Sequence, residues 1–378
     1  NSFSGIDLLL NHYKSKACVE IASFFSTMLL KTFLLCVLLY TASARTRSGV
    51  TFKNVVVRGY SMFTSKFNVT INSANTLKDK LPKQVFDKLE IVDSEIPVLY
   101  ENSISDIDDL DELILNNDGI TEIQPGTFKN VPQLRKLVIT HNQGLEEIKS
   151  GVFNRLNIAT MDLSKNSINT IASSAFDDMP ELLNVNLADN QLKIWDKNWF
   201  ADTPLLTRVS LQNNHISEIP ARAFRNFRGE KQFGSVPLTI NIVLSNNEIK
   251  TIHEDAFKGL DKINNLWLDG NEIDSWDENL LSKVAVKDLR IDNNRLQCLS
   301  GDLKNIFVAA TTHIDGNPWD CGCLKNIDLW ASQHGKDVIM YYSKMNCDAE
   351  RIDRKLKDLN HLLKELRKND TEEAGDQE

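Results

Sequence analysis

The feature that most constrains the fold of this chain is a repeat of about 24 residues. The pattern Leu-x-x-Leu-x-Leu-x-x-Asn returns along most of the 378-residue sequence, with spacings of 24, 24, 24, 24, 33, 24, 23 and 23 residues. Its last position falls at Asp118, Asn142, Asn166, Asn190, Asn214, Asn247, Asn271, Asn294 and Asn317. A fixed period of this length predicts a solenoid, in which each repeat packs on its neighbours, instead of separate globular domains.

The leucines of each repeat predict a short strand. Leu113 and Leu115, or Leu266 and Leu268, fall on one side of a strand because side chains alternate with a period of two. Stacking such strands would form one parallel sheet with a continuous core. The terminal asparagine would turn the chain, and its amide would pair with backbone groups in the buried turn. This use accounts for part of an unusual content of 37 asparagines.

These repeats resemble the extracellular form of the leucine-rich-repeat family over roughly residues 65–320. Two degenerate copies precede the regular ones: one contains Leu89 and Ile91, and a shorter one lies around Val69 and Ile71. The resemblance implies an α/β solenoid with a curved parallel sheet on its concave face and short helical or irregular segments on its convex side. It also implies a buried phenylalanine column, namely Phe128, Phe153, Phe176, Phe200, Phe224 and Phe257.

The N-terminal region predicts secretion. From Met28 a short basic start is followed by an apolar run over 32–40, and Ala42-Ser43-Ala44 forms a small-residue cleavage site. Residues 28–44 are therefore interpreted as a signal peptide that is too short to span a bilayer, with a buried hydrophobic helix as the alternative. Residues 1–27 are interpreted as upstream sequence outside the mature protein. No later apolar stretch predicts a transmembrane anchor.

The remaining sequence divides into five parts. We expect an N-terminal strand cap without disulfides over 45–74, repeats over 75–317, a C-terminal cap over 298–348, a heptad helix over 349–369 and a disordered tail over 370–378. Nine additional residues fall in the 33-residue interval, between Phe224 and Thr239. They are interpreted as a tolerated insertion, with a recognition loop as the alternative.

Four cysteines follow the predicted cleavage site: Cys298, Cys321, Cys323 and Cys347. In a secreted protein an even set predicts two disulfides, and a metal site is the competing interpretation. The segment 317–324 with Trp330 and Cys347 resembles the C-terminal cap of leucine-rich-repeat proteins. The resemblance implies a Cys321–Cys347 bond and therefore a Cys298–Cys323 bond, while the exchanged pairing stays open.

The C-terminal segment predicts a helix with a heptad seam. Ile352, Leu356, Leu359, Leu363 and Leu366 are spaced 4, 3, 4 and 3 residues apart, which is the a/d pattern of a coiled coil. One interpretation is a homodimer or heterodimer through 349–369. The other is a helix that packs back on its own cap.

Sequence motifs for catalysis are absent. No HExxH, GxSxG, Walker or GxGxxG pattern occurs, and the histidines are scattered among repeats. We therefore expect no enzyme activity, no metal site and no cofactor. A net charge of −9 argues against nucleic acid as a partner. Two N-glycosylation sequons begin at Asn369, which we expect to be accessible, and at Asn68, which we expect to be hidden in the first strands.

A binding surface is the remaining functional prediction. The position four residues before the last position of each repeat should lie centrally on the concave face, and there Trp267 stands near Asn265, Val243, Arg290 and His313. Because tryptophan and arginine dominate interface hot spots, we predict a protein-contact patch centred on Trp267. The alternative is a tryptophan covered by the adjacent repeat or by glycan.

The order of parts resembles the secreted leucine-rich immune proteins of insects, especially mosquitoes. That resemblance implies a non-enzymatic extracellular protein that binds a protein ligand in innate immunity, with its terminal coil joining two chains. Two alternatives are a matrix or adhesion component and the ectodomain or secreted decoy of a Toll-like receptor.

Overall fold

The computed structural model describes residues 49–61, 66–83, 86–227 and 239–375, with side chains up to residue 364. The predicted signal peptide, the residues before it and residues 228–238 of the insertion lie outside these ranges. The structure therefore concerns the repeats and the two ends of the solenoid.

Among the described residues, the main sheet has 13 strands. They are β1 (Val55–Tyr60), β2 (Phe67–Ile71), β3 (Lys88–Val92), β4 (Glu112–Asn116), β5 (Lys136–Thr140), β6 (Thr160–Asp162), β7 (Asn184–Asn186), β8 (Arg208–Ser210), β9 (Ile240–Val243), β10 (Lys262–Trp267), β11 (Ala285–Arg290), β12 (Thr311–His313) and β13 (Asp337–Ile339). In space the order is β2-β1-β3, followed by β4 to β13 in sequence. From β3 onward all neighbours are parallel, which confirms the predicted parallel solenoid.

One side of each strand faces a continuous core. Leu113, Leu115, Leu266 and Leu268 have no exposed surface, as expected for alternate positions of a strand covered on one face. The other wall is made of turns and two-residue strands such as Glu122–Ile123 and Thr170–Ile171. Single repeats could not bury these leucines alone, so stacking is what stabilises the fold.

The phenylalanine column packs inside the other wall of the solenoid, as predicted. All six rings are buried. Phe153 lies 5.9 Å from Phe176 between ring centroids, and Phe176 lies 5.2 Å from Phe200. Phe224 continues the column to Phe257 at 5.3 Å. Offset stacking at these separations adds to the area that each ring buries.

The last positions of the repeats, Asp118 and the eight asparagines from Asn142 to Asn317, form a column that we call the ladder. Its eight asparagines are all buried, and their amides join successive turns. Asn166 is representative: its Oδ1 accepts a hydrogen bond from the backbone N–H of Asn142 at 2.8 Å. Its Nδ2 donates to the carbonyl oxygens of Ile139 and Leu163, each at 2.8 Å. One side chain therefore pairs backbone groups of two repeats, which would otherwise be buried without partners.

The N-terminal end differs from the prediction of a further repeat around Val69 and Ile71. This segment is β2, which pairs antiparallel to β1, and β1 is antiparallel to β3. The hairpin is preceded by Phe52, which is fully buried and bridges Ala74. Apolar alternation is the same in parallel and antiparallel strands, so the sequence pattern could not give the direction.

The C-terminal end is built from three helices and two disulfides. The helices are α1 (Leu303–Ile306), α2 (Cys321–His334) and α3 (Tyr341–Gly375). Asp320 caps α2, since its Oδ1 accepts hydrogen bonds from the N–H groups of Gly322 and Cys323. Disulfides join Cys298 to Cys323 and Cys321 to Cys347, which is the pairing that the resemblance implied.

Helix α3 is longer than the predicted heptad helix over 349–369. It begins at Tyr341, directly after strand β13, and its main chain remains helical to Gly375. The expectation of a disordered tail over 370–378 is therefore wrong for residues 370–375. The polar composition of these residues misled the prediction, because a helix that is already formed can extend through residues that would not start one.

Candidate partner-binding surface

The side of the main sheet away from the core, here called the open face, carries one central residue from each strand. The register aligns Val243 with Trp267, Trp267 with Arg290, and Arg290 with His313. Asn265 belongs to the next column and lies opposite Asp288. The structure thus places all five predicted patch residues on adjacent strands of one face.

Three of these residues converge on Asp288. The Trp267 Nε1 donates a hydrogen bond to Asp288 Oδ2 at 2.8 Å, and Arg290 Nε reaches the same oxygen at 3.3 Å. His313 Nε2 lies 3.2 Å from Asp288 Oδ1. The Arg290 guanidinium also lies over the Trp267 ring, 4.3 Å from its centroid. We call Trp267, Asp288, Arg290 and His313 the C-terminal cluster.

The cluster is ordered but still accessible. The Arg290 side chain is 39% exposed, whereas Asp288 is 21% exposed. Trp267 is half-buried because Arg290 covers part of its ring. The adjacent repeat therefore covers Trp267 only in part, so the surface presents a stacked indole and guanidinium together.

Asp288 was missed in the sequence. The predicted patch took only Asn265 from the second column, and Asp288 stands in that column on the next strand, two residues before Arg290 on β11. Because positions i and i+2 of a strand share a face, its place on the open face could be read from the register. Asn265 and Val243, by contrast, flank the cluster, and no hydrogen bond joins either of them to Asp288.

The N-terminal part of the open face carries a second cluster of different character. Tyr60 donates a hydrogen bond from its hydroxyl to Glu90 Oε2 at 2.7 Å. Lys88 contacts Glu90 at 2.8 Å, and Lys136 contacts Glu112 at 2.8 Å. The hydrogen bond to Glu90 raises the pKa of the Tyr60 phenol. Here each carboxylate has its own lysine, so the charges largely neutralise one another.

Asn68 lies on this end of the same face. It pairs with Arg58, which in turn is in register with Glu90. The expectation that Asn68 is hidden is wrong: the residue is exposed, because β2 is the outermost strand of the sheet. The second sequon, at Asn369, falls within the main chain of α3, and its side chain lies outside the described part.

Helix α3 presents its apolar seam to solvent. Ile352, Leu356, Leu359 and Leu363 are 57%, 52%, 54% and 43% exposed. The side chain of Leu366 lies outside the described part. Because α3 begins at Tyr341, the seam also extends backward through Ala349, Met345 and Tyr342, all exposed, at spacings of 3, 4 and 3 residues. The pattern therefore covers more than three heptads, the length at which it becomes a firm coiled-coil signal.

The cap holds α3 by the side opposite this seam. Cys347 is bonded to Cys321, and Lys344 Nζ lies 2.8 Å from Asp328 Oδ2. The N–H of Ser343, a buried residue, donates to Asp315 Oδ1 at 2.9 Å. When the seam occupies positions a and d, these three residues occupy f, c and b. The interpretation in which the seam itself packs on the cap is therefore wrong for the described residues.

In the described part of the chain, no group of three or more His, Cys, Asp or Glu side chains is arranged to hold a metal ion. Within the same ranges, no helix combines the length and apolar character needed to cross a bilayer. The four cysteines of the described part all belong to the two disulfides.

These features define a class: a leucine-rich-repeat solenoid with a disulfide-bonded C-terminal cap. The family model described as BspA type leucine rich repeat region, with 6 copies, matches residues 97–231 and 227–332. Since these matches cover more than half of the sequence, the chain belongs to the leucine-rich-repeat family.

Relatives are similar over part of their lengths. Human epiphycan is 30% identical over 142 residues, which are 36% of this chain and 40% of epiphycan. Mouse podocan is 25% identical over 275 residues, which are 67% of this chain and 44% of podocan. Toll-like receptor 3 of Boselaphus tragocamelus is 30% identical over 120 residues, 30% of this chain and 13% of the receptor. The matches span less than half of each of these relatives.

Solved structures show the same fold. The mouse RP105/MD-1 complex matches with a TM-score of 0.55 and 22% identity over 66% of this chain and 41% of that chain. The Toll–Spatzle complex of Drosophila matches with a TM-score of 0.52 and 20% identity over 67% of this chain and 32% of that one. At these identities the likeness concerns the fold.

Proposed function

We propose that this chain is a secreted, non-enzymatic recognition scaffold that binds an extracellular protein on its open face, at the C-terminal cluster. The observation that carries the proposal is the Arg290 guanidinium stacked on Trp267 while Asp288 holds both side chains. Tryptophan and arginine are the residue types most enriched at interface hot spots. Asn265, Val243 and His313 would form the edge of the contact.

Order within the cluster favours binding. Immobilising a flexible side chain at an interface costs about 0.5–1.5 kcal/mol, and Arg290 already has its Nε and its planar face engaged. A partner would therefore meet a side chain that has lost much of its freedom before contact. Two disulfides support an oxidising, extracellular location, because such bonds persist there.

An innate-immune role is the form of this function that we favour. The order of parts resembles the leucine-rich immune proteins of insects, and the fold is shared with RP105 and Toll, which the solved structures show in complexes with MD-1 and Spatzle. Appearance of the protein in body fluid only after immune challenge would support this role. Constitutive levels that challenge leaves unchanged would count against it.

A matrix or adhesion component is the second candidate, and the sequence similarity to epiphycan and podocan favours it. A Toll-like ectodomain or decoy is the third, supported by the match to Toll-like receptor 3. Retention in washed tissue would favour the matrix role. Recovery of the protein in the soluble fraction would favour the other two.

Capture from the extracellular fluid of the source organism tests the binding proposal. Wild-type protein, Trp267→Ala and Ile114→Ala would be immobilised separately, and bound proteins would be identified by mass spectrometry. Ile114 is a matched control because it is half-buried in the central column at the other end of the open face. We expect a set of proteins that wild type and Ile114→Ala retain and Trp267→Ala loses. Identical sets from all three would contradict the proposal.

We also propose that α3 pairs with a second chain, as a homodimer or heterodimer, through its solvent-facing seam. Large exposed apolar residues at a and d positions are costly in a monomer and are the determinants of coiled-coil pairing. The disulfide at Cys347 leaves the seam free because it binds the helix from the opposite side. The proposal thus rests on exposure of the seam and its seven-residue period.

Sedimentation of the full chain tests this pairing. The double variant Ile352→Glu with Leu359→Glu places charges in the seam, whereas Lys357→Glu with Lys364→Glu changes two charges off the seam of the same helix. Homodimerisation predicts a dimeric mass for the wild type and the second variant and a monomeric mass for the first. For a heterodimer, the seam variant alone should lose a partner from the fluid. Equal masses and equal partners for all three proteins would refute pairing through the seam.

A further inference from the structure

One position of the ladder carries a carboxyl where the other described turns from Asn142 to Asn317 carry an amide. Asp118 has no exposed surface. Its Oδ1 accepts a hydrogen bond from the backbone N–H of Ser94 at 3.0 Å, 24 residues away. The next turns make the equivalent hydrogen bonds: Asn142 Oδ1 accepts from the backbone N–H of Asp118, and Asn166 Oδ1 accepts from the backbone N–H of Asn142. Asp118 therefore occupies the ladder in the ordinary orientation.

The second oxygen of Asp118 is what differs. Since Oδ1 takes the accepting role, Oδ2 stands where the asparagines present Nδ2, and that nitrogen donates to main-chain carbonyls, as Asn142 does to Thr140 at 2.9 Å. Asp118 Oδ2 is buried and has no hydrogen-bond partner. A carboxylate has only acceptors, but a protonated carboxyl gains one O–H donor. Only the acid form reproduces the bonding of an asparagine.

We propose that Asp118 is a proton-controlled joint of the solenoid, whose carboxylic acid form completes the ladder and whose carboxylate form interrupts it between β3 and β4. The proton would sit on Oδ2 and be donated to a backbone carbonyl of the turn. Release of that proton to solvent would leave a buried, uncompensated charge at the junction between the N-terminal hairpin with β3 and the remaining repeats. Because solenoid repeats contact only their neighbours, the weakened junction would open locally.

The surroundings of the carboxyl agree with this geometry. Burial raises the pKa of Asp118 from its usual 3.8 to about 7, although the hydrogen bond from the Ser94 backbone opposes the rise. Asp93, on the preceding turn, raises the pKa further and is itself bonded to Asn117 Nδ2 at 2.7 Å. On the following turn His141 Nδ1 lies 2.8 Å from Asn116 Oδ1. None of the groups that shift the pKa of Asp118 is a lysine, arginine or histidine, so no positive charge offsets that of the buried carboxylate.

The sign of the pH dependence follows from the raised pKa. A carboxyl that binds its proton more tightly when folded stabilises the fold fully below its unfolded pKa of about 3.8, and this contribution is lost as the pH rises through about 7. Stability should therefore fall between mildly acidic and mildly alkaline pH. The buried asparagines of the ladder contribute no such dependence, because an amide does not titrate.

The melting temperatures of wild type, Asp118→Asn and Asp93→Asn, measured from about pH 5 to about pH 8, test the proposal. We expect Asp118→Asn to match wild type at the acidic end and to exceed it by several degrees at the alkaline end. Asp93→Asn is the control that keeps the titrating carboxyl: because it removes a carboxylate that raises the pKa of Asp118, the fall in stability should remain and move to slightly lower pH. A difference between Asp118→Asn and wild type that stays constant over this range would overturn the proposal.

A second readout separates titration from packing. In infrared spectra at acidic pH, wild type should show a stronger carbonyl band of protonated carboxyl groups than Asp118→Asn, because other carboxyls contribute equally to both proteins. This difference should disappear as the pH rises. Backbone amide exchange around Ser94 and Ile120 should accelerate with pH in wild type beyond the intrinsic increase, and Asp118→Asn should not show this excess. Absence of this difference between wild type and Asp118→Asn at the acidic end would also refute the proposal.

Discussion

The two ends of the solenoid cover the same kind of hydrophobic cross-section by different means. At the N-terminal end the hairpin of β1 and β2 lies against β3, held by backbone hydrogen bonds and by the buried Phe52. At the C-terminal end two disulfides bind the last repeat to α2 and α2 to α3. A sheet edge can be closed by a strand that pairs with it, whereas a projecting helix has no such partner and is fixed covalently.

The two clusters of the open face follow the same division. Near the N-terminal end, Lys88 forms an ion pair with Glu90, and Lys136 forms one with Glu112. Near the C-terminal end, the single carboxylate of Asp288 contacts Trp267, Arg290 and His313. In the first cluster each charge is paired with an opposite charge, while the second keeps an ordered arginine and tryptophan accessible. The two proposed recognition elements, the C-terminal cluster and α3, therefore both lie at the covalently fixed end.

The largest expected effect comes from removing the anchor of the N-terminal cap. Phe52→Ala should lower the free energy of unfolding of that end by about 4 kcal/mol, because a fully buried ring is lost and a cavity is left. The loss should be local, since solenoid repeats contact only neighbours. Amide exchange would show faster opening of β1 to β3 and unchanged protection of β9 to β12. Uniform loss of protection along the chain would contradict the comparison.

The next effect concerns the covalent end. Cys321→Ser with Cys347→Ser opens a bond between residues 26 apart and should reduce stability by about 3 kcal/mol, as expected for loops of this size. Proteolysis should then release α3 while the repeats stay intact. Lys344→Ala is the control, because it removes a half-exposed ion pair to Asp328 worth below about 1 kcal/mol. Equal protease resistance of all three proteins would show that the disulfide does not fix the helix.

The period of the repeat was sufficient to predict the parallel sheet and the ladder, because each depends on local spacing, whereas the buried phenylalanine column was implied by the resemblance to the family. It could not predict the antiparallel hairpin, since strands of either direction alternate in the same way. The early start of α3 at Tyr341 was hidden by two aromatic residues that also suit a strand. Asp118 was visible as a ladder position, but its unpaired Oδ2 depends on atomic surroundings that the sequence does not show.

The most direct test of the central claim is the affinity of the captured partner for three purified proteins: wild type, Trp267→Ala and Ile114→Ala. Each variant must first show the wild-type melting temperature, so that folding is controlled. Binding at the C-terminal cluster predicts that Trp267→Ala weakens affinity by about 30-fold, equivalent to about 2 kcal/mol for a hot-spot residue, while Ile114→Ala stays within about twofold. Equal affinities for wild type and Trp267→Ala would contradict the account.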